Sequence, residues 1–135
     1  MKNKVFDLED RFVDFSSRVV DVVDALPNSR AGNYIAGQLI RCDLAPALLY
    51  GEAQSAESRN DFIHKMKIVL KELKETRVCL KLIGKKEMIR PNTRMDDIRK
   101  ENEELIAIIS KSIDTANRNI HLLSKQTNKV SSLER

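Results

Sequence analysis

Tryptophan is absent from this chain, and aromatic side chains number only six, four Phe and two Tyr. A surface that reads nucleic-acid bases through rows of stacking aromatics is therefore not built in. Glycine occurs four times and proline three times, too few for a turn-rich β-sandwich or a low-complexity segment. Only two cysteines are present, Cys42 and Cys79, which excludes a disulfide scaffold and fits reduced thiols in a cytoplasmic setting. No apolar run approaches the ~18 residues that would span a bilayer. The opening residues, MKNKVFDLEDRF, lack the apolar core of a signal peptide. A cytoplasmic protein without membrane contact is expected.

What is abundant is charge and aliphatic bulk. The 135 residues are 41% hydrophobic and 33% charged, enough to bury a core within one domain. The net charge of +4 is unevenly placed. Residues 1–57 hold six basic and nine acidic groups, net −3. Residues 58–94 hold eleven basic and four acidic, net +7. Residues 95–135 hold seven of each. A basic section behind an acidic one implies either a charged binding face or charge-matched packing between segments.

Apolar residues recur at helical spacing along nearly the whole chain. Leu8, Phe12, Phe15, Val19, Val22 and Leu26 form one stripe, with Asp7 as N-cap and Pro27 as stop. A second helix is expected over about 30–54, with Ile35, Leu39, Cys42, Leu44, Ala45, Leu48 and Leu49 turned inward and a kink near Pro46. Its small residues, Gly32 and Gly37 among them, suit close approach of a neighbouring helix. A third helix over about 59–83 has Ser58 and Asp61 as a capping pair and Gly84 as its stop. Phe62, Met66, Val69, Leu73, Leu80 and Ile83 form its apolar arc. The fourth, about 95–124, carries Ile98, Leu105, Ile109, Ile113, Ala116, Ile120 and Leu123, with a polar gap at Asn102. Ile106 and Ile108 widen that face, so a second chain is expected to cover part of it. Residues 125–135 lack periodicity and read as a flexible C-terminal tail. Together these predict an all-α, antiparallel up-down-up-down four-helix bundle over residues 1–124.

Chemistry is harder to find. A bundle core can hold a di-metal site through paired Glu-x-x-His motifs. None occurs, and His64 and His121 stand alone on different helices. No clustered metal ligands, glycine-rich phosphate loop or nucleophile motif is visible. The expectation is no enzyme, no cofactor and no metal. The remaining signal is the basic arc of the third helix. At 100° per residue, Lys67, Lys71, Lys74, Lys81 and Lys85 lie within about 80° of one another, with Val78 among them and Arg77 at the edge. Like charges so placed repel. Phosphates of RNA or DNA, or acidic side chains such as Asp10, Asp14, Asp21 and Asp24, would offset that repulsion. Lysines without aromatics imply contact with the nucleic-acid backbone, not with bases.

Five stretches carry a family resemblance: Gln38-Leu39-Ile40-Arg41, Ala45-Pro46-Ala47, Tyr50-Gly51-Glu52, Ser58-Arg59-Asn60-Asp61-Phe62-Ile63, and the run from Lys67 to Thr76. The chain resembles the 23S rRNA intervening-sequence proteins, also called the S23 ribosomal protein or four-helix-bundle protein family. It departs from the usual pattern at Leu48, where members commonly carry Asn, and in the order Gly51-Glu52. The resemblance implies a bacterial four-helix bundle that assembles as a homo-oligomeric ring, commonly a pentamer. It implies no enzymatic activity, and partners that are RNA or DNA, or a nucleic-acid-binding protein.

Overall fold

The computed structural model describes residues 7–133, and contains four long helices and one short one. The helices are α1 (Leu8–Ala25), α2 (Arg30–Gln54), α3 (Arg59–Lys85), α4 (Asp96–Leu133), and a 3₁₀ turn over Asn92–Met95 that leads into α4. Each helix packs on its neighbours in sequence, and α1 closes the ring against α4. The diagonal partners α1 and α3 make no backbone approach. This is the antiparallel four-helix bundle expected from the apolar spacing.

The capping chemistry follows the sequence. The Asp7 carboxylate accepts from the Glu9 amide at 2.9 Å and the Asp10 amide at 3.4 Å. Ser29 Oγ takes the Gly32 amide and Ser58 Oγ the Asp61 amide, both at 3.0 Å. Asp61 reaches back to the Glu57 amide at 3.4 Å. Each bond satisfies an amide that the first helical turn leaves without a partner. Thr93 does not cap α4; its carbonyl accepts from the Asp96 amide inside the 3₁₀ turn instead.

The end of α3 differs from expectation. Gly84 is buried within the helix, which runs on to Lys85. The left-handed position belongs to Glu87, with φ of 48°. The Met88 amide bonds the Ile83 carbonyl at 3.0 Å and the Glu87 amide the Gly84 carbonyl at 3.1 Å, the two bonds of a Schellman ending. Gly84 serves packing: a Cβ there would lie 3.3 Å from the Arg99 guanidinium of α4.

The core is built from the expected stripes. Phe12, Phe15 and Val19 of α1 meet Leu39 of α2, Met66, Val69, Leu73, Leu80 and Ile83 of α3, and Leu105 and Ile109 of α4. The inward face of α2 is narrower than expected. Leu44 and Leu48 are 49% and 69% exposed, while Asp43 and Pro46 take the buried positions. The helix continues unbroken through Pro46. Proline has no amide to offer the Cys42 carbonyl one turn back, and beside that gap the Asp43 carbonyl accepts the Ser16 hydroxyl at 3.1 Å.

Of the two residues expected to widen the apolar face of α4, Ile106 is buried by the chain's own helices, while Ile108 stays half-buried. The stretch expected as a flexible tail continues as helix to Leu133; residues 134 and 135 lie outside the described residues. At 38 residues and 1.5 Å per residue, α4 outruns the other three helices. Side chains from His121 to Asn128 are therefore exposed, Leu123 included. A helical ladder satisfies its own backbone and persists where the packing that would give it periodicity has ended.

Candidate nucleic-acid interface and buried polar cluster

The exposed side of α3 is basic. Lys67, Lys71, Lys74, Lys81 and Lys85 are all exposed, and none makes an ion pair among the described residues. Their arc includes Val78, 56% exposed, so the register read from the sequence holds. Arg77 does not stand with them. Its Nε and Nη2 donate to the two carboxylate oxygens of Glu103 at 2.6 and 2.9 Å. That bidentate pair turns the guanidinium toward α4 and holds the Glu103 carboxyl below its ordinary range. Together with Lys81, Arg77 and the carboxylates Asp96 and Glu103, two cations not singled out from the sequence, Arg99 and Lys100, line a groove of about 270 Å³ between α3 and the start of α4. Both lie on the polar side of α4, but which α3 residues they would face was set only by how the helices pack.

The acidic residues of α1 are not intrachain partners of these lysines, because α1 is diagonal to α3. Asp14 pairs within its own helix, 3.9 Å from Arg18. Arg11, which no sequence pattern singles out, bridges the thinnest seam of the bundle. Its Nε donates to Glu101 at 2.7 Å and its Nη2 to Glu104 at 2.6 Å. The Arg11 hydrogen bond holds the Glu101 carboxyl low.

A second polar group lies between α2 and α3. Cys42 Sγ, a Glu72 carboxylate oxygen and a Glu75 carboxylate oxygen all lie within 4.8 Å of one another. Glu72 and Glu75 are one helical turn apart, so their side chains project to the same side. The Cys42 thiol donates to Glu75 Oε2 at 3.2 Å. Burial and then that hydrogen bond push the thiol up to about 12, and burial likewise raises Cys79. Both cysteines are free thiols, and a thiol held protonated is a poor nucleophile. The Glu72 carboxyl is raised by burial and by Glu75 beside it, while the hydrogen bond from Cys42 lowers Glu75. A clustering of metal-ligating side chains, which the spacing did not reveal, is thus present. The i, i+3 pair Glu72 and Glu75 was its only legible half. His64 and His121 are both exposed and lie outside it.

Further inside, Asp43 is 1% exposed, and among the described residues neither of its carboxylate oxygens has a partner at hydrogen-bond geometry, although the Ser16 hydroxyl nearby partly offsets the effect of burial. Burial raises its carboxyl from 3.8 to about 7. The polar gap of α4 is also internal: Asn102 is buried and its Nδ2 donates to the Leu73 carbonyl at 3.3 Å. No helix is long and apolar enough to cross a membrane among the described residues.

No protein-family model matches the chain, and no curated protein does. Among solved structures it is similar to a protein with unknown function from the S23 ribosomal protein family of Bacteroides thetaiotaomicron. The TM-score is 0.72 at 28% sequence identity, over 79% of this chain and 98% of that one. The resemblance to the S23 ribosomal protein family seen in the α2 and α3 motifs is thus matched by a shared fold along nearly the full length of a solved member.

Proposed function

We propose that this chain is a non-enzymatic, homo-oligomeric bundle that binds the phosphate backbone of RNA or DNA through α3. The observation that carries the reading is the row Lys67, Lys71, Lys74, Lys81 and Lys85, exposed and, among the described residues, in no close ion pair, continued by Arg99 and Lys100 across the groove. Each phosphate neutralised releases a counterion, so about four or five such contacts give a slope near −4 in log affinity against log salt. Filter binding of single- and double-stranded RNA and DNA across a salt series measures this. Lys71→Glu with Lys74→Glu and Lys81→Glu should abolish retention while leaving the helical circular dichroism unchanged. Affinity indifferent to salt, or unaltered in that triple variant, rejects the reading.

Self-assembly is supported by a different surface. Tyr34, Ile40, Leu44 and Leu48 occupy one arc of α2 and are 69%, 44%, 49% and 69% exposed. Gly37 lies on the same arc, with no atom within 4 Å of where its Cβ would stand. An apolar helix stripe of this kind marks an interaction face. The pentamer that the family resemblance implies would use it. Light scattering should give a multiple of the 15.4 kDa chain mass, and Leu44→Lys with Leu48→Lys should reduce it to that mass. A wild-type protein of monomer mass refutes assembly. A protein-interaction module without a nucleic-acid role is the alternative. It predicts that the α3 lysine reversals change the assembly state and that no nucleic acid is retained.

A further inference from the structure

The α2–α3 cluster has no part in either surface just described. We infer that Cys42, Glu72 and Glu75 form a binding site for a thiophilic divalent metal ion of the Zn²⁺ class, which would join α2 to α3 across the bundle.

The geometry has three parts. First, one sulfur and two carboxylate oxygens lie mutually within 4.8 Å. A Zn²⁺ with bonds of about 2.3 Å to sulfur and about 2.1 Å to oxygen requires ligand separations of about 3.4–3.7 Å. Cys42 Sγ and Glu75 Oε2 are already at 3.2 Å, so small rotations of Glu72 and Glu75 close the set. Second, the ligands sit on two packed helices, with Glu72 and Glu75 one turn apart on α3. Third, Glu72 is 8% exposed, and its Oε2 is buried with no hydrogen-bond partner among the described residues. An orphaned carboxylate oxygen beside a second carboxylate and a thiol is costly to bury, and a cation removes that cost.

The charges suit a divalent ion. Cys42 as thiolate with two carboxylates supplies three negative charges. A divalent ion leaves one, which Arg41, 3.6 Å from Glu75 Oε2, can balance. Arg41 is 61% exposed at its side chain and can move aside without losing packing. On binding, the thiol proton leaves to solvent and the sulfur–metal bond replaces it, with no change of oxidation state. Three protein ligands leave a fourth tetrahedral position for water. Cys79, one turn beyond Glu75 on α3 and half-buried, is not a member of the cluster.

The test uses the full chain, reduced and freed of metal by chelation, with Co²⁺ as the spectroscopic probe and Zn²⁺ as competitor. One Co²⁺ should bind per chain, with a sulfur-to-cobalt charge-transfer band in the near ultraviolet and the intense visible bands of a tetrahedral site; Zn²⁺ should displace it. Cys42→Ser should lose the charge-transfer band. Glu75→Gln, at the half-exposed rim and least able to disturb folding, should weaken Co²⁺ by at least tenfold. Cys79→Ser should retain the band. No band in the wild type, an unchanged band in Cys42→Ser, or unaltered affinity in Glu75→Gln overturns the inference. So does a band that depends on Cys79. A second readout is thermal unfolding: Zn²⁺ should raise the midpoint of the wild type and leave that of Cys42→Ser unchanged.

Discussion

Gly32→Ala should destabilise the protein by about 3 kcal/mol or more, a fall of roughly 10 °C in the unfolding midpoint. Gly32 sits in the first turn of α2, where the chain has just reversed direction. A Cβ at that position would stand 2.1 Å from the Pro27 carbonyl oxygen and 3.0 Å from Ser29 Oγ. The nearer atom is backbone and cannot rotate away. It is also engaged, since the Pro27 carbonyl accepts the Ser29 amide at 2.9 Å. The Ser29 hydroxyl in turn caps the Gly32 amide. Relief of the clash would therefore disturb both the turn and the cap, and α2 would lose its start. Gly37→Ala is the contrasting case within the chain. A Cβ there would meet no atom of the chain's described residues within 4 Å, and replacing a mid-helix glycine by alanine removes up to about 1 kcal/mol of backbone entropy cost, so the comparison is made at a concentration where the chain is monomeric. Thermal unfolding by circular dichroism separates the two; equal midpoints would mean that the α1–α2 turn is not held as described.

Asp43→Asn should flatten the pH dependence of stability and raise stability at pH 8 by about 2 kcal/mol. The sign follows from the carboxyl being raised, from 3.8 to about 7. Between those values the folded protein keeps a proton that the unfolded chain has released. Stability is then greatest below about pH 4, falls as pH rises toward 7, and is level above it. Each unit of difference corresponds to about 1.36 kcal/mol, so the full span is an upper limit of about 4 kcal/mol, and relaxation of the surroundings lowers what is realised. Asn has nearly the shape of Asp and never ionises, so this contribution disappears. Urea unfolding from pH 5 to 8, with a chelator present, compares the slopes. Parallel curves for wild type and variant would show that Asp43 is not the buried acid responsible. The position is informative because Asp43 and Pro46 occupy inward sites that Leu44 and Leu48 were expected to fill. The apolar residues so displaced form the outward stripe proposed for self-assembly.

Much of the bundle was legible because α1, α3 and the first part of α4 carry apolar residues at three- and four-residue spacing, interrupted by Thr76 in α3 and Asn102 in α4. Phe12, Phe15, Leu73, Leu80 and Ile109 are buried as that spacing requires. The starts of α1, α2 and α3 were legible as well, since Asp7, Ser29 and Ser58 act on amides two or three residues away. A lysine row on one helix is equally local, and Lys67, Lys71, Lys74, Lys81 and Lys85 are all exposed. In α2 the same reasoning chose the wrong face, because leucines stand on both sides of the helix and periodicity cannot say which side another helix covers.

Sequence by itself therefore determined the helices, the N-caps of α1, α2 and α3, and the basic arc, all of which depend on residues within a few positions of one another. Only the tertiary structure decided what depends on two helices at once. It paired Arg77 with Glu103, placed Arg99 and Lys100 across the groove from Lys81, and buried the Asp43 carboxylate. It also brought Cys42 within reach of Glu72 and Glu75, which lie far along the chain. Helical spacing states which residues share a face. The relative rotation of two packed helices states which faces meet, and that rotation is settled by the fit of side chains across the whole core.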